Sequence, residues 1–453
     1  MAEPDPAITA PPEQEVAGRN GRYAWIVTII LLLGYSFAFV DRQMLNLLVE
    51  PIRRDFRLDD TSVSFLLGFA FVLAFAFAAP IAGRWADLGH RRNICVFAVA
   101  VWSAFTVGCG LSASYGMLFS ARLGVGAAEA FLMPAAWSLI ADYFSRDRLP
   151  RAMSVFLLGP YLGGGMALIL GGTVVHALGN PSGDGGWHGL TPWRAAFLVA
   201  GCIGLVPILL LFLIREPARQ ETTAAPSFRL GAVVRHMWQA RAFYGAFYGG
   251  ISLQTITFYA VPAWMPTYLV RRFGVPLGDI GLEYGVIVLI MGCLGVLAGP
   301  FLGRWLVARG YRDHNMRIPV IACLGLVPVA AALPLAASYP AALAICAVLT
   351  FFCSLPMPMA AAALQTVTPN RMRGVAASLY MFIVSLVGVA LPPTLIALLT
   401  DHVFHDPAKV GWSLGIVCSL AALFAALVIA RGLPAYRAAL AKADAAALAG
   451  TPH

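Results

Sequence analysis

The sequence predicts an all-α membrane protein with twelve transmembrane helices in two six-helix bundles, and three observations carry that expectation. The chain is 60% hydrophobic and 12% charged, whereas soluble domains average about 25% charged residues. Its apolar stretches recur at lengths near the roughly 20 residues that cross a hydrocarbon core of about 30 Å. Markers in the first half return in the second about 220 residues later: Gly83-Arg84-Trp85 as Gly303-Arg304-Trp305, Arg151 as Arg373, Trp193 as Trp412. A parallel repeat of this kind relates two bundles by an axis along the membrane normal, with a binding site at their interface near the midplane.

Residues 1–22 are Pro-rich and acidic and lack the basic start and small-residue cleavage site of a signal peptide. They are expected to form a disordered tail. Spans are expected near 24–48, 62–86, 92–112, 115–140, 151–178 and 193–214, then 243–269, 280–308, 316–336, 340–365, 374–399 and 411–431. The first bundle then occupies 23–214, a linker 215–241, the second bundle 242–431 and a tail 432–453. In the linker, Phe228, Val233, Val234, Met237 and Trp238 interleave with Arg229, Arg235 and His236, which suits an amphipathic helix on the inner leaflet or an ordinary linker helix.

Basic residues concentrate in the loops and tails on the side of the two termini. The opposite loops hold Arg53, Arg54, Arg57, Arg271, Arg272 and Lys409. The positive-inside rule then places both termini in the cytoplasm, in a cell inner (plasma) membrane. The net charge of +9 is a topology signal, because the arginines are scattered through short loops and form no stripe that could track a nucleic acid. All eight cysteines fall in apolar stretches without a Cys-x-x-Cys pair, so they read as small hydrophobes and not as a disulfide or metal framework. No phosphate-cradling Gly-x-x-x-x-Gly-Lys run is present, no cofactor is implied, and Asp401, His402, His405 and Asp406 beside Pro407 read as a solvated loop.

Charge inside the spans is rare and therefore informative, since a charged side chain at bilayer depth costs roughly 2.5–3.5 kcal/mol on insertion scales. Asp41 and Arg42 in the first span, with Arg122 and Glu129 in the fourth, are the conspicuous cases. The fifth span carries Gly159, Pro160, Gly163, Gly164, Gly165, Gly171 and Gly172, a pattern for close helix packing.

These residues carry a resemblance. The loop Gly83-Arg84-Trp85-Ala86-Asp87-Leu88-Gly89-His90-Arg91-Arg92 resembles the signature loop of the major facilitator superfamily, departing from it at Leu88 and His90. Within that superfamily, Phe39-Val40-Asp41-Arg42, the run from Arg122 to Ala130 and Ile140-Ala141-Asp142-Tyr143-Phe144 resemble the spinster family. The resemblance implies a proton-linked carrier of amphipathic anions, similar to lysolipid and sphingosine-phosphate carriers, acting by alternating access. It also implies that the first and fourth helices line a central cavity.

On that frame the charged residues take roles. Asp41 and Glu129 are the candidates for proton coupling, because a carboxylate in low dielectric can change its proton occupancy between two conformations. Counting about 1.5 Å per residue puts Asp41 roughly 26 Å from the inner boundary, Arg122 roughly 10 Å and Glu129 roughly 21 Å below the outer one. Asp41 and Arg122 then share a level and are expected to pair. Arg42, about 100° round the helix, pairs elsewhere or binds a phosphate. The inner-gate candidates are Asp87, Arg91, Arg92, Asp142, Arg146 and Arg151, with Asp87 expected at the start of the eleventh helix near Arg373 and Asp142 beside Arg91 or Arg151. Asp60 marks an outer gate, and Gln254, Tyr259, Trp264, Tyr268 and Met357 are expected to line the cavity. The expected partners are a lysophospholipid, a sphingoid phosphate or another amphipathic anion, protons and the bilayer, with the protein acting as a monomer. Proton-linked movement of a small organic acid is the alternative; an enzyme would need a nucleophile, a His/Asp pair or a metal near one face, which only the outer loop from Asp401 to Asp406 offers, and weakly.

Overall fold

The computed structural model describes residues 21–145, 148–178, 190–217, 230–369 and 372–448. The expected N-terminal tail, 1–20 of it, and Arg146 lie outside them. Twelve helical spans follow one another: α1 (Arg22–Leu47), α2 (Asp60–Ala86), α3 (Arg91–Gly110), α4 (Tyr115–Tyr143), α5 (Arg151–Leu178), α6 (Pro192–Leu211), α7 (Arg241–Phe273), α8 (Leu277–Ala308), α9 (His314–Leu335), α10 (Tyr339–Val367), α11 (Leu379–Phe404) and α12 (Val410–Leu448). Among the described residues, eleven runs are long and apolar enough to cross a membrane. The remaining span, α7, has 33 residues but interrupts its apolar character with Gln254, Thr255, Thr257 and several tyrosines. Large apolar side chains such as Phe77, Leu209, Phe301 and Phe424 are exposed along the spans, as a hydrocarbon solvent permits and water does not. With an even number of spans, α1 begins and α12 ends at the same face, called here the terminal face; the opposite one is the far face.

The halves meet along α5 with α8, α2 with α11 and α1 with α7. Glycine makes the first of these contacts possible. A Cβ on Gly281 would lie 2.6 Å from Gly172 Cα, so the two helix backbones touch where neither residue has a side chain. Several spans are broken, and the breaks have causes. The α2 helix is interrupted at Gly68, where a Cβ would lie 2.8 Å from the Ala390 carbonyl oxygen of α11. The break in α10 falls at Leu355–Pro356, and α11 contains two π-helical stretches, Val384–Ala390 and Leu399–Phe404, a geometry that often accompanies functional sites.

One expectation about the connections changes and another does not. The final helix does not end at 431: it continues through Arg437 to Leu448, because the segment AYRAALAKADAAAL is composed of strong helix formers even though it is not apolar enough to read as a span. The linker does contain a helix, Leu230–Gln239, with Trp238 exposed; Phe228 and Arg229 lie outside the described residues.

The repeat extends to the ion pairs at the terminal face. In the first half Arg91, opening α3, is held by Glu216 just past α6. At the corresponding place in the second half the charges are exchanged: Asp313, before α9, is held by Arg437 on α12. In both halves burial raises the carboxyl and the arginines outweigh it, so Glu216, which also accepts from the Arg92 and Arg91 backbone, and Asp313, bound by Arg317 and Arg437, both fall below the ordinary carboxylate range.

Candidate functional site

Four charged side chains on α1 and α4 form two crossed ion pairs in the first bundle. Asp41 and Arg122 are buried and bonded to each other through Oδ2 and a terminal guanidinium nitrogen. Thr106 of α3 stands behind them, its Oγ1 3.0 Å from Asp41 Oδ1 and 2.9 Å from the Trp102 carbonyl. Arg42 reaches across to Glu129, at 2.5 Å, and its guanidinium carbon lies 3.7 Å from the centroid of Phe71 on α2. The aromatic face adds a cation–π contact to the ion pair. The sequence spacing explains the crossing. Asp41 and Arg42 diverge round α1, whereas Arg122 and Glu129, seven apart, share one face of α4.

The two pairs differ in access. Asp41 and Arg122 are sealed, while the Arg42 side chain retains 20% of its surface beside a Glu129 with 2%. Arg42 lines the central cavity with Phe39, Gln43, Asn46, Tyr161, Phe258 and Tyr259, among others. Neither pair uses its full bonding capacity: Glu129 Oε1, Arg42 Nε and Arg122 Nε are buried without a hydrogen-bond partner. Unsatisfied buried polar atoms are uncommon and often mark functional strain.

A double-mutant cycle over Asp41→Asn and Arg122→Gln is expected to show a coupling of about 1–3 kcal/mol, since each single change leaves a buried partner unpaired. Additive effects on unfolding in detergent would mean that the pair holds nothing together.

The wall contributed by α7 differs from expectation. Tyr259 lines the cavity, but Gln254, Trp264, Tyr268 and Met357 do not. Gln254 donates to the Cys353 carbonyl, Trp264 Nε1 to the Pro393 carbonyl and Tyr268 to the Leu333 carbonyl, so all three are buried polar groups tying α7 to its neighbours. Met357 starts the terminal-face part of α10.

At the far face a second charged cluster joins the halves. Arg271 of α7 makes a bidentate contact with Asp60 at the start of α2, 2.6 and 2.7 Å, and donates from Nε to Glu50 at 3.0 Å. Glu50 sits on a short helix, Val49–Phe56, together with Arg53 and Arg54, which also bind it. Burial raises the Glu50 carboxyl, but the charges of Arg271 and Arg53 prevail and bring it below its ordinary value. Alongside, Asp401 accepts from the Thr61 backbone and hydroxyl at 2.8 and 2.7 Å, and Ser64 Oγ lies 3.2 Å from Thr394 Oγ1. The sequence pattern suggested a solvated loop at Asp401, and nothing in it marked Glu50 or Arg271. The Arg271 ion pairs with Asp60 and Glu50, and the hydrogen bonds of Thr61 to Asp401 and of Ser64 with Thr394, bridge the halves on this far face.

At the terminal face, Arg91 is buried among Asp142, Glu216 at 2.7 Å, the Ser138 hydroxyl at 3.0 Å and the Pro217 carbonyl at 3.0 Å. Arg92 lends its backbone N–H to Glu216. This cluster joins α3, α4 and the end of α6 within one bundle, and Glu216 at its centre escaped the sequence pattern. Arg151 is exposed, and the side chains of Asp87 and Arg373 lie outside the described residues, as does their expected contact.

Comparison with known proteins agrees with this geometry. The sequence pattern of the Major Facilitator Superfamily matches residues 31–393. The chain is 28% identical over 332 residues to an MFS-type efflux pump of Mycolicibacterium smegmatis, covering 72% of each chain. It is 27% identical over 438 residues to protein spinster homolog 1 of Xenopus tropicalis, covering 88% of this chain and 80% of that one. Among solved structures, a bacterial homolog of the human lysosomal transporter Spinster, in an inward-facing and unoccupied conformation, superposes with a TM-score of 0.77 at 22% identity, over 94% of this chain and 99% of the other.

Proposed function

This chain belongs to the major facilitator superfamily and is a spinster-like secondary transporter, and from that premise we propose that it moves amphipathic anions, such as lysophospholipids or sphingoid phosphates, coupled to protons. The observation that carries the proposal is Arg42, held by Glu129 and partly open to a cavity whose walls combine aromatic and aliphatic side chains with the neutral polar groups of Gln43, Asn46, Thr350 and Ser354. A phosphate or carboxylate entering the cavity competes with Glu129 for the guanidinium. Once Arg42 turns to the substrate, Glu129 is an isolated carboxylate in an apolar wall, a state relieved by taking a proton. Anion binding and proton binding at this site are then positively linked, and each favours the other by the same factor. The aliphatic and aromatic surface from Phe39, Phe258, Val288 and Val389 receives the hydrocarbon part of the substrate.

Alternating access needs a gate at each face. Asp60 and Arg271, with Glu50 and Asp401, form the far-face gate, closed in this conformation. Asp87, Arg91, Arg92, Asp142, Arg146 and Arg151 are assigned to the terminal-face gate, with the Glu216 clamp fixing Arg91. The terminal face is cytoplasmic in this reading, the membrane is the plasma membrane, and the monomer is the working unit.

Proteoliposomes with an imposed pH gradient test the substrate class. Accumulation of a fluorescent lysophospholipid, competed by sphingoid phosphate and not by short organic acids, is the expected result. Accumulation of a short organic acid with an indifferent lysolipid would replace the lipid assignment by the smaller substrate.

A further inference from the structure

We propose that a groove at the terminal-face ends of α8, α9 and α10 binds an anionic phospholipid from the leaflet on that side. The groove is separate from the central cavity and is lined by Pro300, Gly303, Arg304, Val307, His314 and Met359. Its walls are apolar, and it lies on a flank where Phe301, Trp305 and Val307 are exposed to the hydrocarbon. An acyl chain fits such a wall.

The charge at its rim selects the headgroup. Arg304 lies with its guanidinium carbon 4.5 Å from the Phe301 centroid, and Arg309 stacks over Trp305 at 3.4 Å. Neither has a carboxylate partner among the described residues, whereas nearby Arg317 and Arg437 are both taken up by Asp313. Asp313, the acidic group closest in sequence to the rim, is thereby neutralised. Two unpaired cations laid on aromatic rings at the end of a span form an interfacial site complementary to a lipid phosphate. His314 adds a buried Nδ1 without a hydrogen-bond partner, and buried polar atoms in folded proteins seldom stay unpaired.

The internal repeat supplies a control. The first half has the same tripeptide, Gly83-Arg84-Trp85, but there Trp85 packs on Phe131 and Phe97, with ring centroids 5.3 and 6.2 Å apart. Trp305 carries Arg309 instead. On the groove floor, a Cβ at Gly303 would lie 3.2 Å from His314 Cδ2 and 3.7 Å from Met359 Sδ, so glycine keeps the space open.

Brominated phosphatidylglycerol, titrated into phosphatidylcholine proteoliposomes of the full chain, reads occupancy through the quenching of Trp305, isolated by difference from Trp305→Phe. The expected result is stronger quenching by brominated phosphatidylglycerol than by brominated phosphatidylcholine. Arg304→Gln should weaken it about fivefold, the contribution of one arginine at an anionic surface, and Arg84→Gln should leave it unchanged. Gly303→Leu, which fills the groove without removing a charge, should abolish the preference and serves if Arg304→Gln fails to fold. Equal quenching by the two lipids, or equal losses in Arg84→Gln and Arg304→Gln, would overturn the site.

Discussion

Glu129→Gln is expected to abolish gradient-driven accumulation of substrate while leaving a folded protein that still binds it. The amide can accept the Arg42 hydrogen bond that the carboxylate accepts, and Arg42 retains contact with Phe71 and with the cavity, so the local packing survives. What disappears is the exchange of a proton for a guanidinium. With one coupled proton, each pH unit of gradient supports about tenfold accumulation, and the variant should fall to none while keeping downhill exchange. Uphill transport intact in Glu129→Gln would remove this carboxylate from the coupling. Arg42→Gln serves as the comparison, since it should lose substrate affinity as well as coupling.

The second large effect is expected at the far face. Arg271→Gln removes the guanidinium that Asp60 and Glu50 share across the halves, leaving them the longer contacts of Arg53 on their own half, 3.8 and 3.4 Å, and Glu50 that of Arg54, and the Asp60 side chain is fully buried. Breaking a buried ion pair on one side costs about 3–5 kcal/mol, and that penalty falls on the closed far face alone, because opening returns both carboxylates to water. A bias of this size moves a two-state equilibrium by more than about a hundredfold. Spin labels at Arg57 and Lys409, both exposed and on opposite halves, should show their distance distribution shift to longer values in Arg271→Gln. Asp60→Asn should shift it in the same direction but less, because Glu50 still holds Arg271. An unchanged distribution in both would mean that the cluster does not set the gate.

The sequence revealed most where the membrane makes a residue expensive. Spans were legible because the bilayer demands about 20 apolar residues, and Asp41, Arg122 and Glu129 stood out because charge in hydrocarbon needs a reason. Counting depth along two antiparallel helices was enough to bring Asp41 to Arg122. It could not bring Arg42 to Glu129, because a long arginine side chain can reach a partner away from the level of its own Cα. The helix α7 hid its orientation for a different reason: it is buried on nearly all sides, so no apolar face distinguishes Trp264 and Tyr268, which pack, from Tyr259, which lines the cavity. Glu50, Glu216, Arg271 and Asp401 lie at span ends or in loops, where charge is ordinary, and only the fold shows that each binds a distant element.

The central claim is that the Arg42 and Glu129 pair couples an anionic lipid to a proton. The most direct measurement is the lumenal pH of dye-loaded proteoliposomes during an imposed lysophospholipid gradient, in the wild type and in Glu129→Gln. A pH change that tracks the lipid is expected in the wild type and vanishes in the variant; lipid movement without a pH change, or an equal pH change in both, would contradict coupling through this pair.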